Sequence, residues 1–210
     1  MFKTLVQGLG RILSMGNRED LLSGAKRCLY EKGYSRTTAR DIAAASGVSL
    51  AAIGYHFKST EALLNAALNE ALDEWGAELQ RALSAESEPQ ATPLERFELY
   101  WTRVLESFTR HRPLLITTCE LVAHLDHIPQ LRQVLAEGIQ DARALWAKLL
   151  QNLDAAKEKQ KAFAVGSIYQ ALLSGVMVQW LIDPEHAPSA RDLAEGLRTI
   201  AASIQSRGAQ

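Results

Sequence analysis

Cysteine is scarce: Cys28 and Cys119 are the only two in 210 residues. So few, so far apart, exclude a disulfide framework and a cysteine-based metal cluster. A reducing cytoplasm is the expected compartment. Long apolar runs are lacking as well. The most apolar stretch, Ala162 to Ile182, is interrupted by Gln170, Gly175 and Gln179, so no membrane span is expected. Residues 1–16 mix Lys3 and Arg11 with Phe2, Leu5, Val6, Leu9, Ile12 and Leu13. They lack the dense apolar core and small-residue cleavage site of a signal peptide and read as a short helical arm or a poorly ordered extension. There is no internal repeat, no low-complexity tract and no alternating run bounded by turn residues that would mark a strand. His124 and His127 stand three apart near His111, but no Asp, Glu or Cys is placed convincingly with them, so neither metal nor cofactor is expected. No nucleophile–base pair or phosphate loop occurs at a meaningful spacing, which argues against an enzyme.

What is present is apolar residue in quantity, 47% of the chain, enough for a packed core. The net charge of −1 hides an asymmetry. Residues 1–60 carry nine Lys/Arg against four acids, leaving 14 cations against 20 acids in the rest. A basic N-terminal segment on an acidic body suits contact with nucleic acid. The periodicity is helical nearly throughout, and the fold class is all-α with about nine helices. Asn17 is placed to cap a helix with Glu19 and Asp20 in its first turn, and Gly33 to end it. Thr38-Ala39-Arg40-Asp41 is a capping-box pattern opening a second, short helix. Ser46-Gly47 closes that helix, and Val48-Ser49 leads into a third spanning Leu50 to His56. Ser59 can cap a fourth, from Glu61 to about Leu83. After a polar loop, Leu94, Phe97, Trp101, Val104, Leu105 and Phe108 form one apolar stripe. Pro113, Pro129 and Pro184 mark further boundaries, dividing the remainder into helices near 113–126, 129–153, 158–182 and 189–206.

Two short helices joined by a glycine-containing turn make a helix-turn-helix. Ala43 is small enough for the helices to cross closely. Gly47 can take positive φ. Ile42, Val48 and Ile53 supply an inner face, and the second helix is left with small outward residues that can enter a major groove. The ordered string over Leu21 to Leu68 (Gly33-Tyr34, Thr37-Thr38, Asp41-Ile42-Ala43, Gly47-Val48-Ser49, Tyr55-His56-Phe57, Glu61-Ala62-Leu63-Leu64) resembles the DNA-binding region of TetR-family regulators. The resemblance implies a three-helix DNA-binding domain at 17–64 after the 1–16 extension. A C-terminal helical domain at 65–210 would bind an effector and dimerise. It implies phosphate contacts from Arg36, Thr38, Arg40 and His56, with base edges read from Ser49, Leu50, Ala51 and Ala52. Three positions depart from the family pattern: Ala51 where glycine is frequent, Gly54 where tyrosine is usual, and Thr60 where lysine is frequent. Tyr55 and Lys58 are the neighbours that can replace the last two.

The function so implied is that of a sequence-specific transcriptional regulator, a repressor released from a palindromic double-stranded operator by a small molecule. Phe97, Trp101, Phe108, Cys119 and Trp146 are the candidates to line an effector pocket between bundle helices. The segment Phe163 to Trp180 is apolar on two faces, with small residues at Ala164, Gly166, Ser167, Ala171, Ser174 and Gly175. Together with the helix bearing Leu193, Leu197, Ile200 and Ile204, it can form a four-helix interface in a homodimer. An all-helical enzyme, or a protein-interaction module that does not bind DNA, is the competing reading.

Overall fold

Capping residues set most of the helix boundaries. A computed structural model describes residues 2–85, 91–123, 125 and 129–207, with side chains for 16–82, 91–123, 125 and 131–206. Among the described residues there are eight α-helices: α1 (Phe2–Lys32), α2 (Ala39–Ser46), α3 (Leu50–Phe57), α4 (Thr60–Ala85), α5 (Pro93–Val122), α6 (Pro129–Gln151), α7 (Lys159–Ile182) and α8 (Ala190–Arg207). No strand occurs among the described residues. The capping box at Thr38 is present: Asp41 N donates to Thr38 Oγ1 at 3.2 Å, and Thr38 N to Asp41 Oδ2 at 2.9 Å. The same reciprocal pair recurs at Thr92/Glu95 before α5 and Ser189/Asp192 before α8. Each satisfies two N–H groups that a helix start leaves unpaired.

Two boundaries differ from the sequence reading. Asn17 does not cap a helix; it lies inside α1, which runs on continuously from Phe2. Nor does the chain break at Pro113, which sits within α5, so eight helices replace nine. An interior proline costs about 3 kcal/mol. Here Val104 and Phe108 are buried before it, and Leu114, Leu115 and Leu121 after it. Each such side chain contributes about 1.5–3 kcal/mol on burial, so packing on both sides outweighs the proline.

The described chain divides into two compact units, Met1–Trp75 with Pro113–Leu131, and Gly76–Arg112 with Arg132–Gln210. In the first, Leu21, Leu22, Ala25, Cys28 and Leu29 of α1 are buried, as are Ile42 of α2, Ile53 and Phe57 of α3, and Leu63, Leu64 and Leu68 of α4. Burial pushes the Cys28 thiol above its ordinary value, as befits core packing rather than chemistry. In the second unit the core is an aromatic layer. Phe97, Tyr100 and Trp101 of α5 meet Trp146 of α6 and Tyr169 of α7, with ring centroids 5.0–6.0 Å apart. Phe108 meets Trp180 at 5.5 Å.

Candidate nucleic-acid interface

The turn between α2 and α3 is set by Gly47, which adopts the left-handed conformation (φ 72°) and donates its N–H to the Ala43 carbonyl at 3.0 Å. Glycine takes this conformation without the steric cost other residues meet. α1 and α2 also cross closely, at Gly24. A Cβ on Gly24 would lie 2.8 Å from Ser46 Cβ and 2.9 Å from Ser46 N, so Gly24 is the residue that lets the helices touch. Nothing local in the sequence marks Gly24, because the requirement comes from a partner 22 positions away. Beside it, the Arg27 guanidinium donates to the Ala45 carbonyl and closes the end of α2.

Ile53 and Phe57 are the buried residues of α3 and turn it inward. Leu50 is 51% and Tyr55 79% exposed, and Ala51 and Gly54 are exposed beside them. Ala52 and His56 are half-buried, and the His56 ring stacks edge-on against Tyr55 at 4.8 Å. Ser49 precedes α3 but its side chain makes no capping hydrogen bond. Lys58, exposed, ends the helix at φ 68°, a region unfavourable for a side-chain-bearing residue, with its N–H on the Gly54 carbonyl at 3.2 Å. Open space surrounds the Gly54 Cα, so the side chain usual in the family would meet no obstacle there.

Exposed cations precede this face in the chain. Arg40 is exposed on α2. Arg36 is exposed after α1 and donates Nε to the Lys32 carbonyl at 2.8 Å. The Thr38 hydroxyl donates to Asp41 Oδ2 at 2.6 Å, and Lys32 Nζ lies 2.6 Å from Asp41 Oδ1. Those bonds, from Lys32 first and Thr38 next, hold the Asp41 carboxyl well below the usual carboxylate range. Thr38 is therefore a structural cap whose hydroxyl is already engaged. Behind the motif, Tyr34 OH donates to Asn65 Oδ1 of α4 at 2.7 Å, and burial pushes that phenol up to about 12. Lys26 Nζ bridges Glu70 and Glu74 of α4 at 2.9 and 2.6 Å. The Arg18 guanidinium covers the Phe57 ring at 5.1 Å. The recognition face is thus braced from α1 and α4.

The model of the bacterial regulatory proteins of the tetR family matches residues 21–67, and that of a tetracyclin repressor-like C-terminal domain matches residues 92–203. The chain belongs to the TetR family. TetR-family members are helix-turn-helix DNA-binding transcriptional regulators, and α2–α3 is that element here. The HTH-type transcriptional regulator TtgR of Pseudomonas putida is 29% identical over 195 residues, covering 87% of this chain and 88% of its own. The nicotine-responsive transcriptional repressor HdnoR of Paenarthrobacter nicotinovorans is 23% identical, over 89% of this chain and 94% of its own. Among solved structures, the multidrug binding protein EbrR complexed with proflavin superposes with a TM-score of 0.62 at 25% identity, covering 87% of this chain and 98% of that one.

In the C-terminal region of this TetR-family chain, Phe97, Trp101, Phe108 and Trp146 all enter the aromatic layer. Cys119 is half-buried on the last part of α5, which belongs to the other compact unit. Sequence reasoning missed Tyr100, Tyr169 and Trp180 as members of the layer; Tyr100 is off the single stripe from which α5 was read. The Tyr100 hydroxyl and Trp101 Nε1 are buried without a hydrogen-bond partner among the described residues. His111 lies 3.2 Å from Glu78 of α4, and His124 and His127 fall outside the described residues. No group of three or more residues able to hold a metal ion occurs among the described residues.

Proposed function

We propose that this protein is a homodimeric, cytoplasmic repressor that reads a palindromic operator through α3 and is released by a small molecule held in the aromatic layer of its second unit. The observation that carries the DNA-reading part is the outward face of α3: Leu50, Ala51 and Tyr55 stand exposed, held from behind by buried Ile53 and Phe57. Leu50, Ala51 and Ala52 would meet base edges, Ser49 with its uncommitted hydroxyl would serve either a base or a phosphate, and Tyr55 would lie along the groove wall. Arg36, Arg40, His56 and Lys58 would anchor phosphates, which fix position without conveying sequence. Arg36 can do so with the guanidinium nitrogens that Lys32 leaves free.

For the effector, two buried donors without partners favour a planar molecule that carries hydrogen-bond acceptors. The relatives' nicotine response and proflavin complex belong to those proteins and support only the general kind of ligand. Release requires that the ligand bind one arrangement of the DNA-reading helices better than the other. Among the described residues one helix, α7, is long and apolar enough to cross a membrane by length and composition. A dimer interface accounts for the same apolar surface, and the Gln170 side chain of α7 is spent inside the unit, accepting from Trp146 Nε1 at 3.1 Å.

The test is duplex titration of the full chain at two salt concentrations. Arg40→Ala should weaken specific and random duplexes by similar factors and lower the salt slope by about one. Exchanging Leu50 or Ala51 should change which operator is preferred and leave nonspecific binding nearly intact. If Arg40→Ala changes the ratio of specific to nonspecific affinity while Ala51 substitutions do not, the docking is wrong.

A further inference from the structure

A cleft of about 470 Å³ opens in the second unit between α6 and the start of α7, a volume within the range of small-molecule sites. Its walls are apolar at three alanines and the Phe163 ring, and polar at Gln140, Gln160, Arg143 and Lys159. Among the described residues no carboxylate lines it. None of the aromatic-layer residues lines it either.

The two cations are uncommitted in an unusual way. Arg143 stacks its guanidinium over the Phe163 ring at 5.0 Å, yet its Nε is buried without a hydrogen-bond partner among the described residues. A guanidinium stays charged and offers only donors, so a buried N–H on it calls for an acceptor. The two carboxylates of the segment just before α7 pair with other cations: Asp154 with Lys157 at 3.7 Å and Glu158 with Lys161 at 3.4 Å. Glu158 stands at the N-cap of α7 and makes no side-chain capping bond, so first-turn N–H groups beside Lys159 and Gln160 add to the positive potential. The stem of Arg143 is fixed. A Cβ on Gly166 would collide with the Arg143 carbonyl, so α6 and α7 meet backbone to backbone there. A buried cluster of Ala147, Leu153 and Ala162 underlies the same corner.

We propose that this cleft binds an amphipathic organic anion, a carboxylate carrying an apolar body, with Arg143 and Lys159 holding the carboxylate and Phe163 and the alanines holding the body. The polar wall supplies donors for oxygen acceptors, and the apolar wall excludes an anion that is hydrated all round, such as inorganic phosphate. Binding here is a property of the free protein and is measured without DNA, so its failure and the failure of operator recognition are separate results.

The experiment is calorimetric titration of the full chain with octanoate, octylamine and inorganic phosphate. Octanoate should bind with one site per chain. Octylamine and phosphate should bind at least about tenfold more weakly, since each lacks one half of the recognition. Arg143→Gln should weaken octanoate about tenfold or more, and Arg143→Lys, which restores charge but not the planar fork, should recover part of it. Lys159→Gln alters an exposed side chain and keeps the test decisive should Arg143→Gln unfold; it should weaken octanoate several-fold and leave octylamine unchanged. Equal binding of octylamine or of phosphate overturns the proposal. So does an octanoate affinity that both glutamine variants leave unchanged.

Discussion

Thr38, Asp41 and Lys32 show how much a few side chains decide at the entrance to the recognition motif. The Thr38–Asp41 pair closes the first turn of α2, and Lys32 ties that turn to the end of α1. Losing an N-cap side chain costs about 1 kcal/mol, so Thr38→Ala should lower stability by that order at pH 7, checked by denaturant midpoint. The acid side has a definite sign. The folded carboxyl of Asp41 is held below its unfolded value, so its contribution is fully present above about pH 4 and is lost as pH falls through the folded value. The stability difference between the parent and Asp41→Asn should therefore be flat from neutral pH down to about 5 and shrink below that. A difference that grows on acidification would contradict the assignment. This cap was legible in the sequence because both partners lie within one turn. Gly24 and Gly166 were not: their roles depend on Ser46 and on the Arg143 backbone, which only the folded chain brings near.

Among the elements, α2, α3 and the start of α4 were readable because their signals are local: Thr38 and Ser59 as caps, Gly47 as the turn, Ile42 and Ile53 as the inner face. α5 was not, and the reason is Pro113. A proline reads as a boundary because it removes an N–H and crowds the preceding turn. In α5 the flanking residues are buried in two different units, and neither stretch can leave the helix without exposing leucine or phenylalanine. The proline is thus tolerated at a standing cost. Pro113→Ala restores the hydrogen bond to the Thr109 carbonyl and should raise stability by about 1–3 kcal/mol, read from the denaturant midpoint. A decrease would mean that the proline's shape is itself packed against, and that the cost has been placed wrongly.

For the whole molecule the decisive feature is apolar surface with nothing over it in a single chain. α7 buries only Ala162, Gly166, Tyr169 and Val176; Phe163 lines the cleft with α6, and Ile168, Val178 and Ile182 are exposed, the last at 78%. On α8, Ile200 and Ile204 are exposed too. The double-faced character of α7 was visible in sequence, but which small residues serve which face was not: Gly166 is consumed by α6, whereas Gly175 has open space around it and is available for a close approach. In the homodimer proposed above, isologous pairing of α7 and α8 with the same helices of a second copy would cover this surface, as in a four-helix interface. A large charged side chain at the seam would be desolvated without a partner, so Gly175→Arg should dissociate the dimer, as should Ile168→Asp on the other part of the face. Sedimentation at micromolar concentration should give dimers for the parent and monomers for both variants, with helix content unchanged by circular dichroism. The consequence reaches the operator. Two recognition helices read half-sites about 34–36 Å apart, and a monomer holds only one. Gly175→Arg should therefore bind a full palindrome no more tightly than an isolated half-site, while the parent prefers the palindrome strongly. A parent chain that sediments as a monomer, or a variant that keeps the palindrome preference, would place the dimer seam elsewhere.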